Sequence, residues 1–121
     1  MSKQGNPGPI GLDHFQREVG RWAESVFTRA TDTSVATHLA REVAELRAWC
    51  VAADDGRAPV PVADVAEEAA DCFLLLLHLA HRCEFSLLDA AHAKFAKNRA
   101  RRWGEPDAEG VVEHVKEGGP E

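Results

Sequence analysis

The stretch VADVAEEAADCFLLLLHLAHRC (62–83) reads as one helix with two characters. Its first half carries acids on one side. From Cys72 to Ala80 it is apolar nearly all round, interrupted by His78. A helix that is apolar on every side is buried on every side. In a chain of 121 residues this predicts that a second copy of the chain completes the burial. The run from Ala69 to Ala80 is too short to span a bilayer, so no membrane partner is expected.

Working outward, Asp54-Asp55-Gly56, Pro59 and Pro61 mark a loop ahead of this helix. A second helix precedes the loop, from the cap-formers Thr31-Asp32-Thr33-Ser34 to about Ala53, with an apolar face of Leu39, Val43, Leu46 and Cys50. A first helix begins at Asp13, which can cap it with Gln16 three positions on, and carries Phe15, Val19, Trp22, Ala23 and Val26 at helical spacing. On the other side, Ser86 with Asp89 resembles a capping box for a fourth helix running to about Trp103, where Gly104 and Pro106 stop it. No useful strand-like alternation occurs. Four helices with short connections predict an all-α, four-helix bundle-like fold. Residues 1–12 read as a flexible leader, 13–104 as the helical domain and 105–121 as a charged tail with a short Val111-Val112 element.

A net charge of −6 argues against a general nucleic-acid binder. It leaves room for a nucleotide enzyme, because metal ions can bridge acidic side chains to phosphates. Cys50, Cys72 and Cys83 form no CxxC pair and suit a reducing compartment as small core residues. The N-terminal MSKQGNPGP has no apolar signal-peptide core, and a cytoplasmic location is expected.

Two acidic pairs carry the chemistry. Glu42 and Glu45 are three apart on the second helix, and Glu68 and Asp71 are three apart on the third. Residues at that spacing share a side of a helix. Packed together, the two helices would converge four carboxylates, whose repulsion a divalent cation relieves. Hard oxygen donors suit Mg²⁺, with Mn²⁺ as a substitute. His38, Glu42 and Glu45 form one stripe, and Asp64, Glu68 and Asp71 another. Glu67 competes with Glu68 by spacing, and a merely solvated acidic face is the bland alternative. The fourth helix changes sign: Lys94, Asn98 and Arg101 would share a face able to grip phosphate oxygens. Cations near a helix C-terminus also complement its dipole, which would account for Arg101 and Arg102 without a ligand.

HLAREVAEL (38–46) and EEAADCFLLLL (67–77) resemble the ExxE and ExxD motifs of the MazG-like all-α NTP pyrophosphohydrolase superfamily. KFAKNRARRWG (94–104), followed by DAEGVVEHVKE (107–117), resembles the endings of its dATP/dGTP diphosphohydrolase sub-group, known from bacteriophages. The resemblance covers roughly residues 13–117. Arg41 departs from it, since many MazG-like proteins carry a further glutamate there. The resemblance implies that Glu42, Glu45, Glu68 and Asp71 hold two or more divalent metals and that Lys94, Asn98 and Arg101 contact the triphosphate. It places His38 near the nucleotide. Trp22 and Trp49 could offer a ring to a purine, though core or interface roles suit them better, and Trp103 could pack the end of the fourth helix. It also implies a homo-oligomer, a dimer or dimer of dimers.

The expected reaction is hydrolysis of dGTP or dATP to the monophosphate and pyrophosphate, serving control of the purine deoxynucleotide pool. Glu45 and Glu42 are the catalytic candidates, Glu45 taking the proton of the attacking water. Two rivals stand beside it: a house-cleaning pyrophosphatase for non-canonical or pyrimidine dNTPs, and a non-enzymatic helical adaptor.

Overall fold

The computed structural model describes residues 11–56 and 61–116; the expected leader falls almost wholly outside them. Four helices follow one another: α1 (Leu12–Val26), α2 (Asp32–Asp54), α3 (Val62–Arg82) and α4 (Leu87–Ala100). Among the described residues the only extended pairing is one antiparallel bridge between Trp103 and His114. The all-α expectation holds, and each helix begins within a residue or two of where its caps place it.

The chain divides between Leu87 and Leu88 into two compact units. In the first, α1 and α2 each pack against α3, so this packed unit holds three of the four helices. Thr31 and Ser34 form a reciprocal capping box at the start of α2, with bonds of 3.0 and 2.9 Å. The end of α3 is closed by Phe85 N–H donating to Ala80 O (3.1 Å) and Glu84 N–H to His81 O (3.3 Å), with Glu84 in the left-handed region at φ 62°.

The faces differ from expectation more than the spans do. α1 buries Gln16, Gly20 and Ala23, while Phe15, Trp22 and Val26 stay exposed. Gly20 explains this choice: a Cβ built there would lie 2.1 Å from Cγ of His81, so α1 approaches α3 most closely where it has no side chain. Asp13 does not cap α1, whose N-cap is Gly11. Its carboxylate instead accepts from the Ser86 hydroxyl (2.6 Å). Gln16 clamps the same turn, donating to Phe85 O (2.7 Å) and accepting from Leu87 N–H (3.0 Å). On α2 only Val35 is buried; Val43 and Cys50 are exposed. In α3, Cys72, Leu75, Leu77, His78 and Ala80 form the core, while Phe73 and Leu76 remain open in the single chain. Of the three cysteines, all free, Cys72 alone is a core residue. No helix among the described residues is long and apolar enough to cross a membrane.

The second unit contains α4 and the segment after it. α4 stops at Ala100, three residues short of the expected end, because the chain turns into pairing with its own tail. Gly104 N–H donates to Glu113 O (2.9 Å) and Val115 N–H to Arg102 O (2.8 Å). Asp107 accepts from the backbone N–H groups of Glu109 and Val111, both at 2.9 Å, and so shapes the turn that returns the tail.

Candidate metal centre and adjoining cavities

α2 and α3 pack so that Glu42 meets Glu68 and Asp71, while His38, one turn earlier, shares a cavity wall with Leu75 and His78. The register is therefore antiparallel. One carboxylate oxygen each from Glu42, Glu68 and Asp71 lies within 4.8 Å of the others. The geometry chooses Glu68 over Glu67, which is exposed and outside this group. Glu45 is also exposed and outside it, yet close enough for its charge to act on Glu68.

Among the described residues Glu68 is the most perturbed acid. Its Oε2 is buried and lacks any hydrogen-bond partner among the described residues. Burial, hydrogen bonding with the Glu42 carboxyl, and the charges of Glu45, Glu42 and Asp71 together push its pKa up to about 7. The same field reaches Cys72, whose thiol is raised first by burial and then by Glu42, Glu68 and Asp71. An orphaned, screened carboxylate oxygen facing two other carboxylates is the donor set a hard divalent cation requires. The residues fit such an ion.

One cavity adjoins the cluster, and a second continues from it. A cavity of about 190 Å³ is bounded by Glu42 and Asp71 at one end and by Val19, Trp22, Phe27, Leu74 and Leu75 along its sides. It shares Phe27, His38, Leu75 and His78 with a wider cavity of about 480 Å³, which opens toward the α1–α2 connection. Phe27 sets edge-on to Trp22 (centroids 5.8 Å apart) and to His38 (6.4 Å). His38 Nε2 is 3.7 Å from the Glu42 carboxylate, as the stripe of α2 suggested.

The cavity floor is held by a network that periodicity did not reveal. His78 is only 2% exposed, and its Nε2 lies 2.5 Å from Oε2 of Glu24 on α1. Arg82 binds the same carboxylate at 2.9 and 3.1 Å and Asp32 at 2.8 Å. The hydrogen bond from His78, followed by those from Arg82, holds the Glu24 carboxyl below its ordinary range. The one sequence signal was His78 itself, a polar residue inside an apolar run. Glu24 and Arg82 are 58 residues apart, and no local pattern links them.

In the second unit, Lys94 and Asn98 lie one turn apart on α4, but Arg101 follows the helix end. It returns to Asn98 through Nη1–Oδ1 (3.4 Å) and approaches His114 Nδ1 (3.5 Å). Trp103 Nε1–H donates to Asn98 O (3.0 Å), which ties the end of α4 to the bridge.

The chain matches the model of the dATP/dGTP pyrophosphohydrolase family over residues 15–121. A dATP/dGTP diphosphohydrolase of Cyanophage S-2L is 29% identical over 107 residues, which cover 88% of this chain and 90% of that protein. Among solved structures, the Cyanophage S-2L MazG-like pyrophosphohydrolase bound to dGDP and three catalytic Mn²⁺ ions per active site is similar at a TM-score of 0.65. It is 27% identical, and the likeness covers 89% of this chain and all of that one.

Proposed function

Because the chain belongs to the dATP/dGTP pyrophosphohydrolase family, we propose that it hydrolyses dGTP or dATP to the monophosphate and pyrophosphate, and so serves the purine deoxynucleotide pool. The observation that carries the reading is the meeting of Glu42, Glu68 and Asp71, with one buried Glu68 oxygen left unpartnered, at the end of an apolar cavity. Glu42, Glu45, Glu68 and Asp71 would hold Mg²⁺ or Mn²⁺, two or more per site. When bound, the metal supplies Lewis acidity and offsets phosphate charge. The dGDP and Mn²⁺ held by the cyanophage structure support this assignment.

The side chains divide the remaining work. Glu45, exposed beside the half-buried Glu42 and Glu68, accepts the proton of the attacking water at a carboxylate oxygen, with Glu42 next to it on the same side of α2. Lys94, Asn98 and Arg101 hold the triphosphate, the Asn98–Arg101 contact presenting amide and guanidinium donors together. His38, between the Glu42 carboxylate and both cavities, positions the nucleotide. Trp22 and Phe27 give the base an apolar wall, a role for which Trp22 suits better than Trp49 because it lines the cavity that reaches Glu42. The active form is a homo-oligomer.

The test is incubation with each dNTP and Mg²⁺ or Mn²⁺, followed by identification of the products. Pyrophosphate and monophosphate should appear, faster from dGTP and dATP than from dCTP or dUTP. Glu45→Ala and Asp71→Ala should each lower turnover by at least a hundredfold, the order expected for loss of a general base or metal ligand, with helical circular dichroism unchanged. Free phosphate as the product, or turnover retained in either variant, would overturn the reading. Faster turnover of pyrimidine nucleotides would point to the house-cleaning activity instead.

A further inference from the structure

The wider cavity holds two arginines that the reaction described above does not use. Arg41 on α2 and Arg29 in the α1–α2 connection both line it. Neither makes an ion pair or hydrogen bond with any described residue, whereas Arg82 nearby binds two carboxylates. Both are exposed, and with no carboxylate partner among the described residues their guanidinium groups are free to donate to a ligand in the cavity.

Their position along the helices identifies the acceptor. The carboxylate cluster lies at the level of Glu42 to Glu45 on α2 and of Glu68 to Asp71 on α3. The smaller cavity runs from Glu42 and Asp71 past His38 to His78. The wider one continues past His38 to Val35, Ser34 and Ala30. It therefore lies farther from the cluster than the smaller cavity does. Arg41 lines this wider cavity with Arg29 and not the smaller one, although it adjoins Glu42 in sequence, in keeping with the lean of helical side chains toward the N-terminus. From Glu45 back to Ser34 is about 16 Å along α2 at the usual helical rise, enough for phosphates at the carboxylates, a sugar and then a base. A nucleotide anchored by its phosphates at the cluster would bring the edge of its base, not its phosphates, to the arginines.

We propose that Arg41, assisted by Arg29, is a specificity-determining residue that donates to the O6 and N7 acceptors of guanine and sets a preference for dGTP over dATP. The inference rests on the nucleotide reading of the site. The two parallel N–H groups of a guanidinium match the adjacent acceptors of guanine. Adenine presents an amino donor where guanine has O6, so one donor would face another. Arg41 is the principal reader because it stands on a helix, whereas Arg29 stands on a connection.

The test uses the full chain with Mn²⁺ and two readouts, binding of dGDP and dADP by calorimetry and kcat/KM for dGTP, dATP and 7-deaza-dGTP. The wild type should bind dGDP at least tenfold tighter than dADP and should lose a comparable factor on 7-deaza-dGTP, which lacks the N7 acceptor. In Arg41→Ala the dGDP affinity should fall by about ten- to a hundredfold, the span of one bidentate base contact. The dADP affinity should change less than threefold, with the same melting temperature as the wild type. Arg29→Ala should show a smaller loss in the same direction. Absence of a dGDP preference in the wild type overturns the proposal. So does an equal loss on both nucleotides in Arg41→Ala, which would make the arginine a phosphate ligand. Failure to release pyrophosphate from any dNTP would sink the hydrolase reading, while the binding ratio would still judge Arg41 separately.

Discussion

At the scale of single residues, Glu68 ties the site to pH. A carboxyl whose folded-state pKa is raised from 4.5 to about 7 binds a proton in the folded protein that the unfolded chain has already lost. Between those values the folded state binds more protons, so the group's contribution to stability is full below about pH 4.5 and declines as pH rises through about 7. A cation needs the ionised form and reverses this trend. In metal-free protein, Glu68→Gln should flatten the fall in melting temperature between those pH values. The increase in melting temperature on adding Mn²⁺ should grow with pH in the wild type and shrink markedly in the variant. A Mn²⁺ effect independent of pH, or undiminished in Glu68→Gln, would remove Glu68 from the metal site. The i, i+3 spacing of two acidic pairs made these residues legible in the sequence. It could not separate Glu68 from Glu67, because the choice depends on the rotation of α3 about its own axis against α2.

At the scale of elements, helix starts were legible and helix faces were not. Thr31 and Ser34 announce α2 by local hydrogen bonding, which depends only on neighbours in the chain. The face that α1 buries depends instead on how closely α3 approaches, and that is decided at Gly20 against His81. Large apolar residues at helical spacing, Phe15, Trp22 and Val26, drew attention to a different face, which the single chain leaves exposed. The end of α4 was misplaced for a related reason, since the pairing of Gly104 with Glu113 is a nonlocal contact that helix periodicity does not encode. Gly20→Ala tests the packing directly. The added methyl would fall 2.1 Å from Cγ and 2.6 Å from Cβ of His81, and rotating the side chain leaves that Cβ where it is. Overpacking of this kind costs about 1–3 kcal/mol, seen as a lower melting temperature or urea midpoint. Gly20→Ala/His81→Ala removes the ring but keeps Cβ at 2.6 Å, so it should recover part of that loss. A neutral Gly20→Ala, or a double variant no better than the single, would show that α1 does not dock on α3 along this line.

At the scale of the whole molecule, the question is what covers the apolar surface that the first unit leaves open. α2 runs for 23 residues and fully buries only Val35. Phe73 and Leu76 on α3, Trp22 on α1 and Trp49 on α2 are each more than a third exposed. Single exposed apolar residues are ordinary, but large ones spread over all three helices of one unit are the mark of an interface. The chemistry of 62–83 already implied a second copy, since a helix apolar nearly all round cannot satisfy itself against two neighbours. Sedimentation of the protein at micromolar concentration should therefore give at least twice the chain mass of 13.2 kDa. Phe73→Glu should shift the population toward monomer by placing a charge in the apolar contact, and turnover should fall with the oligomer if the neighbour helps to build the site. Helical circular dichroism separates this from unfolding, because Phe73 lies outside the buried set of Cys72, Leu75, Leu77 and Ala80. A wild-type chain that sediments as a stable monomer would mean that the exposed faces of α1, α2 and α3 are simply tolerated in water, and that the active site is complete within one chain.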